Sequence, residues 1–190
     1  RSDTELIIDI VKEIYTMDDD FSFMDLGTGS GCIISTLLLE FPNSSGIGTD
    51  ISENALNIAQ INAKKHFVDH RVSFILSDWL NAVNSNKFDL IISNPPYILT
   101  NDLKSLPHEV SYNDPLIALD GGIDGLMHYK KIASNLQNKS NSETKFLIME
   151  INEDMADELF QLLMCVGFER KNINLYDDLS NRKRVICSKY

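Results

Sequence analysis

Three glycines at alternate positions, in Asp25-Leu26-Gly27-Thr28-Gly29-Ser30-Gly31, constrain this chain more than any other feature. They follow an apolar run from Phe21 to Leu26 and precede a second apolar stretch, Cys32 to Glu40, whose spacing is helical until Pro42. A strand that breaks at glycines and re-enters as a helix opens a β-α-β unit, and proline ends such a helix because it lacks the N–H of the next turn. The alternation then repeats. Gly46 to Asp50, Val72 to Leu76, Phe88 to Ile92 and Lys145 to Ile151 read as strands. Thr4 to Tyr15, the stretch after Ser52 carrying Ala55, Leu56, Ala59 and Ala63, Leu126 to Leu136, and Asp154 to Val166 read as helices. Ser52 suits an N-cap. Phe168 to Tyr176 and Arg184 to Ser188 look like a closing hairpin. Short apolar strands alternating with amphipathic helices specify a parallel sheet with crossover helices. The stretch from Asn94 to about Gly125 is too long for a simple connector, which marks it as functional.

A length of 190 residues suits one such α/β domain. Lys and Arg total 17 against 28 Asp and Glu, a net charge of -11, which argues against a nucleic acid as partner. Arg182-Lys183-Arg184 is the one dense basic cluster and reads as a solvated strand end. No apolar run approaches the ~20 residues of a membrane span, and no leader is expected. A monomer in the cytoplasm is therefore expected, its first residue, Arg1, suggesting a fragment or processed product. Cys32, Cys165 and Cys187 read as buried thiols of a reducing compartment. His66 and His70 stand one helical turn apart with no completing ligand, so no metal site is expected.

The glycine loop brings backbone N–H groups and a helix N-terminus close to a ligand. Dehydrogenases, flavoproteins and methyltransferases share such loops. The dinucleotide fingerprint is G-x-G-x-x-G, however, and would place a glycine at Cys32. Asp25, just before the loop, suits a cationic ligand better than a pyrophosphate. Asp50 ends the second strand, about 20 residues after the loop, where an acid grips a ribose diol; its plainer role is helix entry ahead of Ser52. Ser77-Asp78-Trp79 ends the third strand at the same sheet edge. There Asp78 suits an adenine amino group, and Trp79 either covers the ring or packs in the core.

Asn94-Pro95-Pro96-Tyr97 arrives at that edge too, on the strand from Phe88. A planar amino group conjugated to a carbonyl or ring is a poor nucleophile because its lone pair is delocalised. Two acceptors, the Asn94 side-chain oxygen and the Pro95 carbonyl, would hold its hydrogens and aim the nitrogen. Pro95 and Pro96 stiffen the turn, and Tyr97 supplies a flat face. Positioning carries such chemistry, without a strong base.

Asp25 to Gly31 together with Asn94 to Tyr97 resemble the amino-methyltransferases that act on adenine, guanine or glutamine. The finer resemblance is to the HemK/PrmC family of peptide chain release factor (glutamine-N5) methyltransferases. It rests on Arg1 to Glu5, Ser77-Asp78-Trp79, Asn94 to Ile98, Asp114-Pro115, Ala118 to Leu126, and Arg184-Val185, and it covers essentially the whole chain. The chain departs from the family at Ser2, Asp114, Asn152, Asn181, Met155 and Lys183. The resemblance implies a class I methyltransferase fold, Rossmann-like, with a seven-stranded, mostly parallel sheet, the last strand antiparallel and helices on both faces. It also implies S-adenosylmethionine as cofactor, bound by Asp25, Gly27, Thr28, Gly29, Ser30, Gly31, Asp50, Asp78, Trp79 and Asn94. Asn94 through Tyr97 would hold the glutamine of a release factor's Gly-Gly-Gln loop. Residues 1–20 would lead in from the family's small N-terminal helical domain, which helps grip the release factor, and residues 21–190 would form the catalytic domain. Without that helical domain, weak activity on intact release factor is expected. The alternative is methylation of an exocyclic amine on DNA or RNA, which uses the same tetrapeptide.

Overall fold

Side chains alternate across a strand, so strands with unbroken apolar runs such as Leu90-Ile91-Ile92 and Phe146-Leu147-Ile148-Met149 need cover on both faces of their sheet. The structure, a computed structural model, describes residues 2–83, 88–106, 115–138 and 144–190. Arg1 and Asp114, which contribute to the resemblance, lie outside the described residues, as does the 107–114 part of the long loop. The strands are β1 (Ser22–Leu26), β2 (Ser45–Asp50), β3 (Val72–Leu76), β4 (Leu90–Ser93), β5 (Ile98–Leu99), β6 (Asp120–Gly122), β7 (Phe146–Glu150), β8 (Ile173–Asp177) and β9 (Lys183–Lys189). Seven of them form one sheet in the order β3-β2-β1-β4-β7-β9-β8, while β5 and β6 pair separately. β9 runs antiparallel to both neighbours, and the other pairs in the large sheet are parallel.

Phe23, Leu90, Ile92, Ile148 and Val185 point to one face. There they meet Ile7, Ile10 and Val11 of α1 (Ser2–Ile14), Ile34, Leu37 and Leu38 of α2 (Cys32–Glu40), and Ala63 of α3 (Glu53–Lys65). Met24, Leu26, Ile91, Leu147, Met149 and Ile186 point to the other face. They meet Tyr129, Ile132 and Leu136 of α4 (Met127–Asn138) and Leu159 and Leu163 of α5 (Ala156–Cys165). The expected sheet with helices on both faces is what the chain forms. α1, read as part of the lead-in segment, packs into this same core.

Several boundaries differ from the sequence reading for local reasons. Asp89 caps the sheet instead of extending β4: its carboxylate accepts the Ser22 N–H at 2.9 Å and pairs with Lys145 at 2.8 Å. The helix expected from Asp154 starts as a 3-10 turn, Glu153–Met155, with the Asn152 side chain accepting the Asp154 N–H at 3.3 Å. Phe168 to Asn172 contains another such turn, so β8 starts only at Ile173. Ser52 caps α3 as expected, accepting the Ala55 N–H at 3.3 Å.

The three cysteines are not all buried, contrary to expectation. Cys32 and Cys165 are exposed because they stand at the outward-facing ends of α2 and α5, and only Cys187 is buried. Burial, with the Glu13 charge adding, pushes the Cys187 thiol up to about 12. His66 caps the end of α3 and His70 lies in a separate turn, so they share no helical face. Asn181 adopts φ 58, a left-handed conformation asparagine tolerates, whereas Asn152 is extended at φ -85. No described helix is long and apolar enough to cross a membrane.

Candidate active site

The sheet register lines up the functional strand ends. Leu76 pairs with Asp50, Leu26 with both Thr49 and Ser93, and Ser93 with Met149. Ser77, Asp50, Gly27, Asn94 and Glu150 therefore follow one another along the carboxyl edge. Neighbouring strands lie about 4.8 Å apart, so the glycine loop is one strand from Asp50 and one from Asn94. Ligands of open α/β sheets bind outside this edge.

The loop glycines meet different demands. Gly31, at φ 76, caps α2, and a Cβ there would lie 2.9 Å from the Ala59 Cβ, so it lets α2 and α3 approach closely. Gly29, at φ 57, would meet nothing within 4 Å and faces open space. The Thr28 N–H donates to the Thr49 carbonyl at 2.8 Å, and the Gly29 N–H to Asp50 Oδ2 at 2.9 Å. Asp50 Oδ1 accepts the Ser52 N–H at 2.9 Å. Asp50 thus serves helix entry and also latches the loop. Each carboxylate oxygen keeps a second lone pair for a ligand hydroxyl.

Asp25 is only 1 % exposed. Its Oδ2 accepts the Thr28 hydroxyl at 2.6 Å, while buried Oδ1 has no hydrogen-bond partner among the described residues. Burial pushes this carboxyl up to about 6; the Thr28 hydroxyl and the nearby Ile34 amide oppose the shift, and the Asp50 charge adds to it. Ser30 is exposed, and its carbonyl accepts the Asn62 amide at 2.9 Å, tying the loop to α3.

Trp79 adopts φ 56, an outlier for a bulky aromatic residue, in a turn where Ser77 Oγ accepts the Ala82 N–H at 3.0 Å. Its ring is buried, 3.2 Å from where a Gly27 Cβ would stand, with the His128 ring centroid 5.3 Å away. Of its two readings the packing one is visible: Trp79 forms a wall under the loop. Asp78 is partly exposed and pairs with Lys131 at 3.4 Å.

In the tetrapeptide Pro95 is buried, and Asn94, Pro96 and Tyr97 are partly buried. Asn94 Nδ2 donates to Glu150 Oε2 at 2.8 Å. The segment 119–125 braces the turn. The Ile98 N–H donates to the Leu119 carbonyl at 3.0 Å, and the Thr100 N–H to the Gly122 carbonyl at 2.9 Å. A Cβ on Gly121 would lie 2.7 Å from the Tyr97 Cα and carbonyl carbon, and one on Gly125 would lie 2.8 Å from the Tyr97 oxygen. Backbone atoms cannot swing aside as a flexible side chain can. Gly121→Ala is therefore expected to displace Tyr97 and lower kcat about tenfold with cofactor affinity unchanged. Turnover kinetics beside calorimetry of cofactor binding check this, and an unaltered kcat would show the brace to be idle.

Sequence reasoning missed Glu150 as part of the site. A signal was present: one acid inside the apolar run Phe146 to Ile151. The exposed Ile51, next to Asp50, is a second unassigned residue at this edge.

A family model described as a methyltransferase domain matches residues 17–169. A bifunctional methyltransferase of Rickettsia bellii is 36% identical over 212 residues, covering 98% of this chain and 38% of that protein. A release factor glutamine methyltransferase of Caulobacter vibrioides is 36% identical over 186 residues, covering 98% of this chain and 63% of that protein. The chain thus spans between 38% and 63% of these two relatives' lengths. The crystal structure of a ribosomal protein L11 methylase from Lactobacillus delbrueckii subsp. bulgaricus shares the fold, with a TM-score of 0.63 at 19% identity over 95% of this chain and 76% of that one. The glycine loop, Asp50 and the Asn94 tetrapeptide all fall within the matched span, on the matching sheet, and the chain belongs to the methyltransferase domain family.

Proposed function

We propose that this domain transfers a methyl group from S-adenosylmethionine to the side-chain amide nitrogen of the glutamine in the Gly-Gly-Gln loop of peptide chain release factors. The observation that carries the reading is the placement of Asn94-Pro95-Pro96-Tyr97 one strand from the glycine loop, with the Asn94 amino group turned to Glu150. Similarity to a protein named release factor glutamine methyltransferase supports the substrate class.

The residues at the carboxyl edge fit a ribosylated cation. Gly29 borders open space, Asp25 Oδ1 is a buried acceptor with no hydrogen-bond partner among the described residues, and Asp50 has lone pairs to spare. Asp50 would hold the ribose hydroxyls and Asp25 the ammonium side. Gly27, Thr28, Gly29, Ser30 and Gly31 would line the backbone cradle, Asp78 would meet the adenine amino group, Trp79 would form the floor, and Asn94 would complete the wall. When bound, S-adenosylmethionine would supply a methyl group on a positively charged sulfur, and breaking that methyl–sulfur bond would leave the sulfur as a neutral thioether. Asn94 Oδ1 and the Pro95 carbonyl accept the two hydrogens of the substrate amide and aim its nitrogen, and Tyr97 flanks the amide plane. Positive charge grows on that nitrogen as its new bond forms, and the two carbonyl dipoles stabilise it. A protonated amide nitrogen is strongly acidic, so its proton leaves to water and no strong base is needed.

Asp25 gives this cofactor site a pH signature. Its carboxyl titrates at about 6 in the free protein, and a cationic ligand favours its charged form. Below that pH, binding must expel a proton, so affinity falls as pH falls. Between pH 7 and 5 cofactor affinity is expected to drop about tenfold, and the dependence should vanish in Asp25→Asn. Calorimetry across this range checks it; a flat profile in the wild type would remove Asp25 from the site. The same shift acts oppositely on folding. Because the folded pKa is raised, the carboxyl favours the fold below the unfolded value near 3.9, and that contribution is lost as pH rises through about 6.

The functional reading itself is tested by incubating the domain with labelled S-adenosylmethionine and release factor, tRNA or duplex DNA in parallel. Label is expected on release factor. Label on nucleic acid alone would overturn the reading in favour of an exocyclic amine.

A further inference from the structure

We infer that Glu150 is the positioning residue of the acceptor site, its buried carboxylate fixing which way the Asn94 carboxamide faces and setting a negative charge behind it. The inference rests on the functional reading above, in which Asn94 accepts a hydrogen from the substrate amide.

The sheet brings the two together. Ser93 of β4 pairs with Met149 of β7, so Asn94 and Glu150 are each one residue beyond that pair and stand side by side. Asn94 Nδ2 donates to Glu150 Oε2 at 2.8 Å. Glu150 is only 3 % exposed, and its chain neighbours Met149 and Ile151 are apolar and buried. The Tyr129 hydroxyl donates to the Glu150 backbone oxygen at 2.8 Å, holding the strand end in place. An ionised carboxylate is costly to bury and persists where donors compensate it. Asn94 is one such donor.

The two ends of a carboxamide have nearly the same shape, so a free asparagine turns over easily. An ionised carboxylate only accepts, so only the amino end of Asn94 can face Glu150. The oxygen is then turned away from Glu150, as an acceptor for the substrate's N–H. In the reverse orientation, donors would face donors. Charge-assisted hydrogen bonds are also stronger than neutral ones, and the Glu150 charge polarises the amide so that its oxygen accepts more strongly. That charge stands behind Asn94, across the carboxamide from the substrate nitrogen.

Glu150→Gln is close in shape, removes the charge and accepts either orientation of Asn94. It is expected to lower kcat on release factor about 10–100-fold, with cofactor Kd and melting temperature little changed. In the Asn94→Ala background the same substitution should change kcat less than about twofold, because no carboxamide remains to be oriented. A merely structural glutamate would reduce activity equally in both backgrounds, and that result overturns the inference, as does an unchanged kcat in the single variant. Should Glu150→Gln unfold, NMR of the wild type decides instead. The Asn94 side-chain amide, assigned by its loss in Asn94→Ala, is expected downfield and slow to exchange, and a fast-exchanging amide would contradict the inference. Wild-type turnover is measured first. If it is absent, the functional reading has failed; if it is present and Glu150→Gln is silent, only the role of Glu150 has failed.

Discussion

Asn94→Ala is expected to lower kcat on the order of 10²–10³-fold while cofactor affinity changes much less. The truncation removes an acceptor whose partner becomes a better donor as the substrate nitrogen gains positive charge, so the loss falls mainly on the transition state. It also leaves the Glu150 carboxylate, 2.8 Å from the lost amino group, without that donor in a buried position. The cofactor cradle of Gly27 to Gly31 and Asp50 stays intact, held by its bonds to Thr49 and Ser52. Asn94→Asp sharpens the test. It keeps an acceptor and the size, and considered alone its charge would favour a bound cation. The structure adds a complication, because the new carboxylate would replace a donor to Glu150, and two carboxylates so close share a proton. A large loss of kcat is expected, with no comparable loss of cofactor binding. Equal single-turnover rates in wild type, Asn94→Ala and Asn94→Asp would reduce the tetrapeptide to a turn.

Asp50→Ala should weaken cofactor binding by about 1.5–3 kcal/mol, roughly 10–150-fold in Kd, with the fold retained. Two effects combine. The variant loses the acceptors proposed for the ribose, and it releases the Gly29 N–H now held at 2.9 Å. Asp50→Asn separates them, because its oxygen can still latch Gly29 while the charge is gone. An intermediate loss in Asp50→Asn is expected, and calorimetry showing unchanged affinity in both variants would remove the ribose assignment.

The sheet and its crossover helices were legible because the burial pattern is strong: strands such as Leu90–Ser93 are buried at every position. The glycine loop and the tetrapeptide were legible from spacing alone. Long-range partnership was not. Asn94 and Glu150 are 56 positions apart, and only the β4–β7 register makes them neighbours. The close approach of Gly121 to the Tyr97 backbone likewise depends on how the long loop folds back. Trp79 was ambiguous because nothing in a sequence signals a left-handed tryptophan, and that conformation turns its ring under the loop. The exposed Cys32 and Cys165 were misread because exposure at helix ends is set by packing, which composition does not record.

The decisive experiment is peptide mapping of a release factor after incubation with labelled S-adenosylmethionine and this protein, beside the Asn94→Ala variant. The expected result is one methyl group on the side-chain amide nitrogen of the glutamine in Gly-Gly-Gln, strongly reduced in the variant. A methyl group on any other residue, or equal labelling by wild type and Asn94→Ala, would contradict the proposed chemistry.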